Sequence, residues 1–344
     1  MKVLVTGHRG YIGTTLVPML EKAGHEVVGL DNYLFEDCLL DTPPPDVPAL
    51  KMDVRDVPLE KLVGFDCVMH LAGISNDPLG DLNPACTYDI NHRASVRLAA
   101  LSKEAGVPRY IFSSSCSNYG AAGDHMLDEQ AAFNPVTPYG ESKVKVEVDV
   151  AKLADERFSP TFLRNATAYG ISAKLRGDLV VNNLTAYAYT TGKVFLKSDG
   201  TPWRPLVHIE DISRAFLAVL EAPREKIHNE AFNVGRTEEN YRIRDVGDIV
   251  QEVVPNSKVT YAADASPDKR NYRVNCDKIR RVLPGFNPVW TVRKGVEECL
   301  EAYRAHGITE ETFFTSRFLR IKRVKELQDA GKLDADLRFK GDLS

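Results

Sequence analysis

The sequence predicts an α/β fold: a doubly wound, mostly parallel sheet followed by a smaller C-terminal lobe. Three observations predict it. Short apolar runs alternate with amphipathic stretches through the first half of the chain. A turn with three spaced glycines follows the first apolar run, and an aspartate closes the second. Alternating strands and helices imply right-handed crossovers, and hence strands that run parallel.

The elements follow in order. Lys2–Thr6 has a buried-strand pattern, and Tyr11–Ala23 carries Ile12, Leu16, Met19 and Leu20 at helical spacing. His25–Leu30, Cys67–Leu71 and Tyr110–Ser114 read as further strands, and Ala94–Ala105 reads as a helix. Asp41–Pro48 is expected to be a surface loop, because consecutive prolines cannot join a ladder. A long helix is expected from Tyr139 to about Glu156, then strand at Thr161–Arg164. After Gly170 the alternation weakens, and Leu179–Thr190 looks like a helix of a different lobe. Ile209–Leu220 is an amphipathic helix, and Phe232–Gly235 is expected to be the last strand of the sheet. The tail from Glu310 carries Arg317, Arg320, Lys322, Arg323 and Lys325, and reads as a solvated helical face.

The 344 residues are 43 % hydrophobic with a net charge of −4, ample for a sizeable core. That balance argues against a general nucleic-acid binder, which carries a basic stripe. No run approaches the length of a membrane span, and the N-terminal apolar run is too short for a signal segment. Cys38, Cys67, Cys86, Cys116, Cys276 and Cys299 are scattered, without a CxxC pair or zinc spacing. They read as reduced thiols of a cytoplasmic protein with no structural metal.

Gly7-His8-Arg9-Gly10-Tyr11-Ile12-Gly13 joins the first strand to the first helix. Glycines there let the backbone turn tightly and approach a pyrophosphate, which the helix N-terminus then receives. Asp31 stands where an acid can accept hydrogen bonds from an adenosine ribose diol and would repel a 2′-phosphate. The expected cofactor is therefore NAD rather than NADP, with Asn32 reinforcing the diol contact and Arg9 the one residue tolerant of phosphate. Asp53, followed by Val54, is placed to accept from an adenine amino group; a simple turn aspartate is the competing reading. Leu71-Ala72-Gly73 follows His70 with small residues that let a dinucleotide pass over the sheet edge.

Tyr139 and Lys143 stand four apart, on one helical face. An ammonium and a pyridinium near a phenol favour phenolate, which can act as general base toward a hydroxyl or, protonated, as acid toward a ketone. The lysine can also hold the cofactor ribose. Upstream, Ser113-Ser114-Ser115-Cys116-Ser117-Asn118-Tyr119-Gly120 supplies hydroxyls, one of which can relay the proton.

Together these residues resemble the extended short-chain dehydrogenase/reductase superfamily, in its NAD-dependent epimerase/dehydratase branch. The resemblance runs from Met1 to about residue 300. It implies a Rossmann domain at 1–168, rejoined by 207–235. It further implies a substrate lobe at 169–206 and 236–309, a helical tail at 310–344, and a homodimer joined through two long helices. It places the catalytic hydroxyl at Ser115, beside Tyr139 and Lys143, with Ser113 at the cofactor. Where related 4,6-dehydratases have an Asp-Glu pair, this chain has Cys116 and Ser117. Related carbon-acid epimerases place a cysteine where Ser117 stands. Both positions are carried as substrate contacts.

Leu163–Gly170 is similar to an LRxxNxYG loop, with Thr167 in place of the asparagine. Asn182 and Asn183 are candidate substrate amides in its stead, and Asn76 or Asp77 a candidate contact to the sugar. Thr201–Ile212 is similar to an RDxxHVxD segment, which assigns Arg204 to a substrate phosphate and Asp211 to capping the next helix. Arg270 is the second phosphate residue, with Arg273 the near alternative. Trp203 either stacks on a base or packs, and His208 reads as a packed histidine.

The implied function is C4 epimerisation of a nucleotide-diphosphate sugar through a transient keto sugar. A net keto-sugar reductase or dehydrogenase, a 4,6-dehydratase and, last, a non-enzymatic NAD sensor are the alternatives.

Overall fold

The computed structural model describes residues 1–40, 47–75, 77–266 and 270–341. Of the expected surface loop Asp41–Pro48, residues 41–46 fall outside that set.

The strands are β1 (Lys2–Thr6), β2 (Glu26–Asp31), β3 (Ala49–Lys51), β4 (Cys67–His70), β5 (Arg109–Ser115), β6 (Ala121–Leu127), β7 (Ser159–Asn165), β8 (Thr167–Tyr169), β9 (Lys193–Ser198), β10 (Trp203–His208), β11 (Glu230–Val234), β12 (Asn240–Arg242), β13 (Lys258–Ser266) and β14 (Asn271–Val274). The principal helices are α1 (Gly13–Lys22), α2 (Ala94–Glu104), α3 (Pro138–Ala151), α4 (Val180–Thr191), α5 (Ile209–Glu221), α6 (Ile243–Val253), α7 (Val292–Ala305) and α8 (Arg320–Asp329).

Seven strands form one parallel sheet in the order β11-β7-β5-β4-β1-β2-β3. The order reverses between β1 and β4. In an open α/β sheet the crevice at such a reversal, beyond the carboxyl ends of the strands, receives the ligand. Both faces are covered, so the strands are apolar throughout rather than alternating. On one face Val3, Val5 and Leu163 pack with Leu16 and Leu20 of α1 and Phe216 and Val219 of α5. On the other, Leu4, Val68 and Phe112 pack with Leu98 of α2 and Val146 and Val150 of α3. The chain is therefore a Rossmann-like α/β fold.

A second apolar core joins α4, α6 and α7 around Leu196, Leu206 and Val250. Small ribbons flank it: β10 pairs with β12 and β8, β13 with β9, and β14 with β6.

Two expectations need correction. The helix of Tyr139 ends at Ala151, not near Glu156. The Asp155 carboxylate accepts from the N–H groups of Arg157 (2.8 Å) and Phe158 (2.9 Å), which turns the chain into β7. The tail is not simply a solvated face either. Lys322 and Lys325 are exposed, but Phe313, Phe318, Arg320, Val324 and Leu327 are buried. Val324, Leu327, Leu333 and Leu337 pack against Leu34, Ile74, Leu79 and Cys86, bridging the segments that follow β2 and β4. Arg317 donates to the carbonyls of Leu39 and Leu40, each at 2.6 Å.

Candidate active site

A cavity of about 980 Å³ opens at the carboxyl ends of the strands, where their order reverses. That is the upper end of the range for small-molecule sites, room for more than one drug-sized group. Gly7, Gly10, Tyr11, Ile12 and Gly13 form its floor. Gly7 has φ +74°, and a Cβ there would meet the Ala72 nitrogen at 2.9 Å. At Gly13 a Cβ would meet the Gly7 carbonyl oxygen at 2.3 Å. These glycines thus let β1, β4 and the start of α1 converge, which aims the α1 N-terminus at the cavity.

Asp31, Asn32, Asp53, Val54, Leu71, Ala72 and Gly73 line the same cavity. The Asp31 carboxylate accepts from the N–H groups of Tyr33 (2.9 Å) and Arg9 (3.1 Å). Burial nevertheless pushes its pKa up, since no cation pairs with it directly. Asn32 Oδ1 accepts from the Leu34 N–H, fixing the turn after β2. Both Asp53 oxygens are engaged by Arg55, through its N–H, Nε and Nη2 at 2.9, 2.9 and 2.7 Å. The Arg9 guanidinium pairs with Glu36 at 2.9 Å. A glycine floor at a helix N-terminus, a buried acid at the end of β2 and small residues at the end of β4 fit a dinucleotide.

Tyr139 enters from the first turn of α3. Thr137 caps that helix, accepting from the Gly140 N–H at 3.2 Å, and Pro138 fills its first position. Ser113, Ser115 and Lys143 join Tyr139 at the cavity wall. The Ser115 hydroxyl, which donates to Ser117 Oγ at 3.1 Å, stands beside the phenol and pulls its pKa down. Burial pushes Tyr139 up to about 12, against the opposing pull of Ser115 and Arg176. Burial also lowers Lys143 to about 7. Lys143 Nζ donates to the Ser113 carbonyl at 2.7 Å and lies 5.8 Å from the Tyr139 ring centre. Desolvation, not the ammonium expected from the spacing, therefore dominates the phenol here. Ser113 Oγ accepts from Asn165 Nδ2 at 3.1 Å.

Ser117, Thr167, Asn183, Arg204 and Arg270 line the cavity's other arm. Arg204 Nη1 donates to the Trp203 carbonyl at 2.8 Å and to the Arg270 carbonyl. Arg270 pairs with Asp77, which also accepts from Thr137 Oγ1 at 2.8 Å. Asn76, and the Asp268 and Lys269 that precede Arg270, lie outside the described residues.

Several expected roles fail. Cys116 is fully buried and turned from the cavity; its Sγ donates to the Arg164 carbonyl at 3.1 Å, and burial pushes its thiol far up. It is neither a substrate contact nor a usable acid. Asn182 is spent on Tyr11 Oη, the Gly170 carbonyl and the Arg176 carbonyl. Asp211 does not cap α5. His208 does, accepting from the Glu210 N–H at 3.2 Å, while Asp211 receives the N–H groups of Val289 and Trp290. Trp203 is packed by the guanidinium groups of Arg242 and Arg273, so Arg273 is stacked on an indole. His208 stacks on Trp290 at 3.8 Å, a packed histidine as expected.

Three lining groups had no signal in the sequence. Arg176 is buried near Tyr139, paired with Asp178 at 2.6 Å and donating to Ser75 Oγ at 2.9 Å. Tyr272 reaches Ser117 from β14. The tail contributes Leu319–Lys322 and Leu337. All depend on long-range packing, which no local spacing encodes.

The profile of the NAD dependent epimerase/dehydratase family matches residues 3–235. The chain belongs to this family. It is thus an NAD-dependent enzyme of the extended short-chain dehydrogenase/reductase superfamily. A UDP-glucose 4-epimerase of Neisseria meningitidis serogroup C is 30 % identical over 294 residues, covering 77 % of this chain and 85 % of the relative. The structure of MoeE5 in complex with UDP-glucuronic acid and NAD superposes with TM-score 0.77 at 26 % identity, over 89 % of this chain and 99 % of that one. The NAD-dependent NDP-hexosamine 5,6-dehydratase TunA shares the fold, with TM-score 0.79 at 24 % identity, over 88 % and 98 % of the two chains. Among the described residues no helix is long and apolar enough to cross a membrane, and no cluster of His, Cys, Asp and Glu has the makings of a metal site.

Proposed function

We propose that the protein is an NAD-dependent nucleotide-sugar 4-epimerase that acts through a transient 4-keto sugar. The observation that carries this reading is a Tyr139–Ser115 pair in the cavity wall whose neighbouring thiol, Cys116, is sealed away. Epimerisation at a carbinol needs one group that removes a hydroxyl proton and later returns it. Elimination of water needs a further acid and base, and the positions after Ser115 supply neither. NAD, when bound over Gly7–Gly13, Asp31 and Leu71–Gly73, supplies the reversible oxidation at C4.

The chain's own residues do the rest. Ser115 stands beside the phenol, and its O–H, turned from Ser117 Oγ to the Tyr139 oxygen, stabilises the deprotonated form. Tyr139 takes the C4 hydroxyl proton and returns it to the same C4 oxygen once the keto sugar has rotated and been reduced on its other face. Lys143, held by the Ser113 carbonyl, orients the cofactor ribose. Arg204 and Arg270 hold the sugar diphosphate, while Ser117, Thr167 and Asn183 contact the substrate between them. In this reading 1–168 with 207–235 serve the cofactor, 169–206 and 236–309 serve the nucleotide sugar, and 310–344 form the tail. Two copies pair through α2 and α3, where Val148 of α3 stands 47 % exposed. The six buried free thiols suit the reducing cytoplasm.

The test is direct. Purified protein should carry NAD and interconvert C4 epimers within a panel of UDP-, GDP-, CDP- and dTDP-sugars, with no net change in NADH absorbance. Stoichiometric NADH formation, or release of a 4-keto-6-deoxy product, would replace this reading with a dehydrogenase or a dehydratase.

A further inference from the structure

Arg320 opens α8, in the tail beyond the family match, and is buried to 5 % exposure. Its Nη2 donates to the Lys174 carbonyl at 2.7 Å, and its guanidinium lies 4.8 Å from the Phe35 ring centre. Its Nη1 is buried with no hydrogen-bond partner, and the polar side chain set against the guanidinium is the uncharged thiol of Cys38. Arg323, one turn on, is paired with Asp37 and Glu326. Among the described residues Arg320 has no such ion pair.

A buried guanidinium without an anion costs several kcal/mol, a cost a bound anion offsets. Its flat fork of N–H donors matches a phosphoryl group. The position is equally informative. Arg320 lines the same cavity as the glycine floor. The Lys174 carbonyl it grips follows Ser172, whose hydroxyl donates to the Tyr11 carbonyl at 2.9 Å, while Tyr11 Oη donates to the Gly170 carbonyl at 2.6 Å. Phe35, on its other side, lies four residues after Asp31, beyond the end of β2.

We infer that Arg320 is an anion-binding residue whose free N–H contacts a phosphoanhydride held in this cavity. Two molecules bring that chemistry: the dinucleotide with its pyrophosphate, and a nucleotide sugar with its diphosphate. The packing of Gly170–Lys174 against the glycine floor favours the first. The second rests on the nucleotide-sugar reading and the first does not, so the two stand or fall separately.

The test titrates NAD and UDP separately into stripped wild-type protein and into Arg320→Gln, by calorimetry at low and high salt. Loss of one charge-assisted hydrogen bond should weaken one ligand roughly 10- to 100-fold. The salt dependence of that ligand's binding should flatten, and Arg320→Lys should recover part of the loss. Weakened NAD assigns the cofactor's pyrophosphate, and weakened UDP the substrate's. A purely structural role would leave the salt dependence intact and give no recovery by lysine. That result, or affinities for both ligands within twofold of wild type, overturns the inference. Should the glutamine variant not fold, Arg320→Met, which retains packing against Phe35, carries the same readout.

Discussion

Tyr139 is where the reading is most exposed to test. Replacing it with Phe removes one oxygen that Ser115 contacts and leaves the cavity floor intact. The expected outcome is a fall in kcat of about 10²- to 10⁴-fold, the range for a lost general base. Bound NAD, released by heat and quantified by chromatography, should be unchanged; loss of NAD in step with activity would point to a structural role. Lys143 carries a pH signature. Folded, it is lowered to about 7 from 10.5 by burial. Below pH 7 it is protonated in both states, and the cost of burying its charge is felt in full. Between about 7 and 10.5 only the unfolded chain keeps the proton, so this contribution to stability rises with pH. Urea midpoints of the stripped protein should climb across that window, and Lys143→Met should flatten the climb. Parallel curves for the two proteins would refute it. Tyr139, Lys143 and Ser115 were legible because a helix repeats and a strand end is short. Arg176 and Tyr272 were not, because they reach the cavity from distant segments.

At the scale of elements, α3 is the part whose placement decides whether that chemistry is possible. Its N-terminus is set by Thr137, which caps the helix and bonds Asp77. Further along, Glu147 is clamped to β7. Its carboxylate pairs with Arg164 at 2.7 Å and accepts from Ser114 Oγ (2.5 Å) and Asn118 Nδ2 (2.9 Å). Arg164 Nη1 in turn donates to Tyr119 Oη and the Glu129 carbonyl. Removing one partner of such a buried pair strands the other. Glu147→Leu should therefore lower stability by about 3–5 kcal/mol, while Thr137→Ala should cost about 1 kcal/mol. Denaturant titration measures both; a Glu147→Leu cost no greater than that of Thr137→Ala would show the clamp to be dispensable. The strands of the sheet were readable in advance because burial on both faces leaves unbroken apolar runs. The paired ribbons β13–β9 and β14–β6 were not. They are half-exposed, mixed in composition and matched across long stretches of chain, so their periodicity is weak.

At the scale of the molecule, the tail gives the fold a second closure over the cofactor side of the cavity. Its charges suggested a solvated face, because composition alone cannot reveal that Val324, Leu327, Leu333 and Leu337 meet an apolar seat on another part of the chain. The docking reaches the site itself. Arg55, which holds Asp53, also donates to the carbonyls of Asp336 (2.8 Å) and Leu337 (3.5 Å), and Arg338 pairs with Asp56. Leu337 lines the cavity beside Asp53 and Val54. On the proposed placement of the cofactor, loosening the tail should therefore loosen the bound dinucleotide. Leu327→Ala leaves a cavity beneath α8 at a cost of about 2–5 kcal/mol, and NAD should dissociate faster from it than from wild type. Val150→Ala supplies the control, since it opens a void under α3 in the sheet core, a cluster separate from the tail's seat. Rates of NAD release, followed by trapping with excess labelled dinucleotide, should rise for Leu327→Ala and stay near wild type for Val150→Ala. Equal rises would mean that cofactor retention follows global stability, and that the tail is ballast rather than a closure.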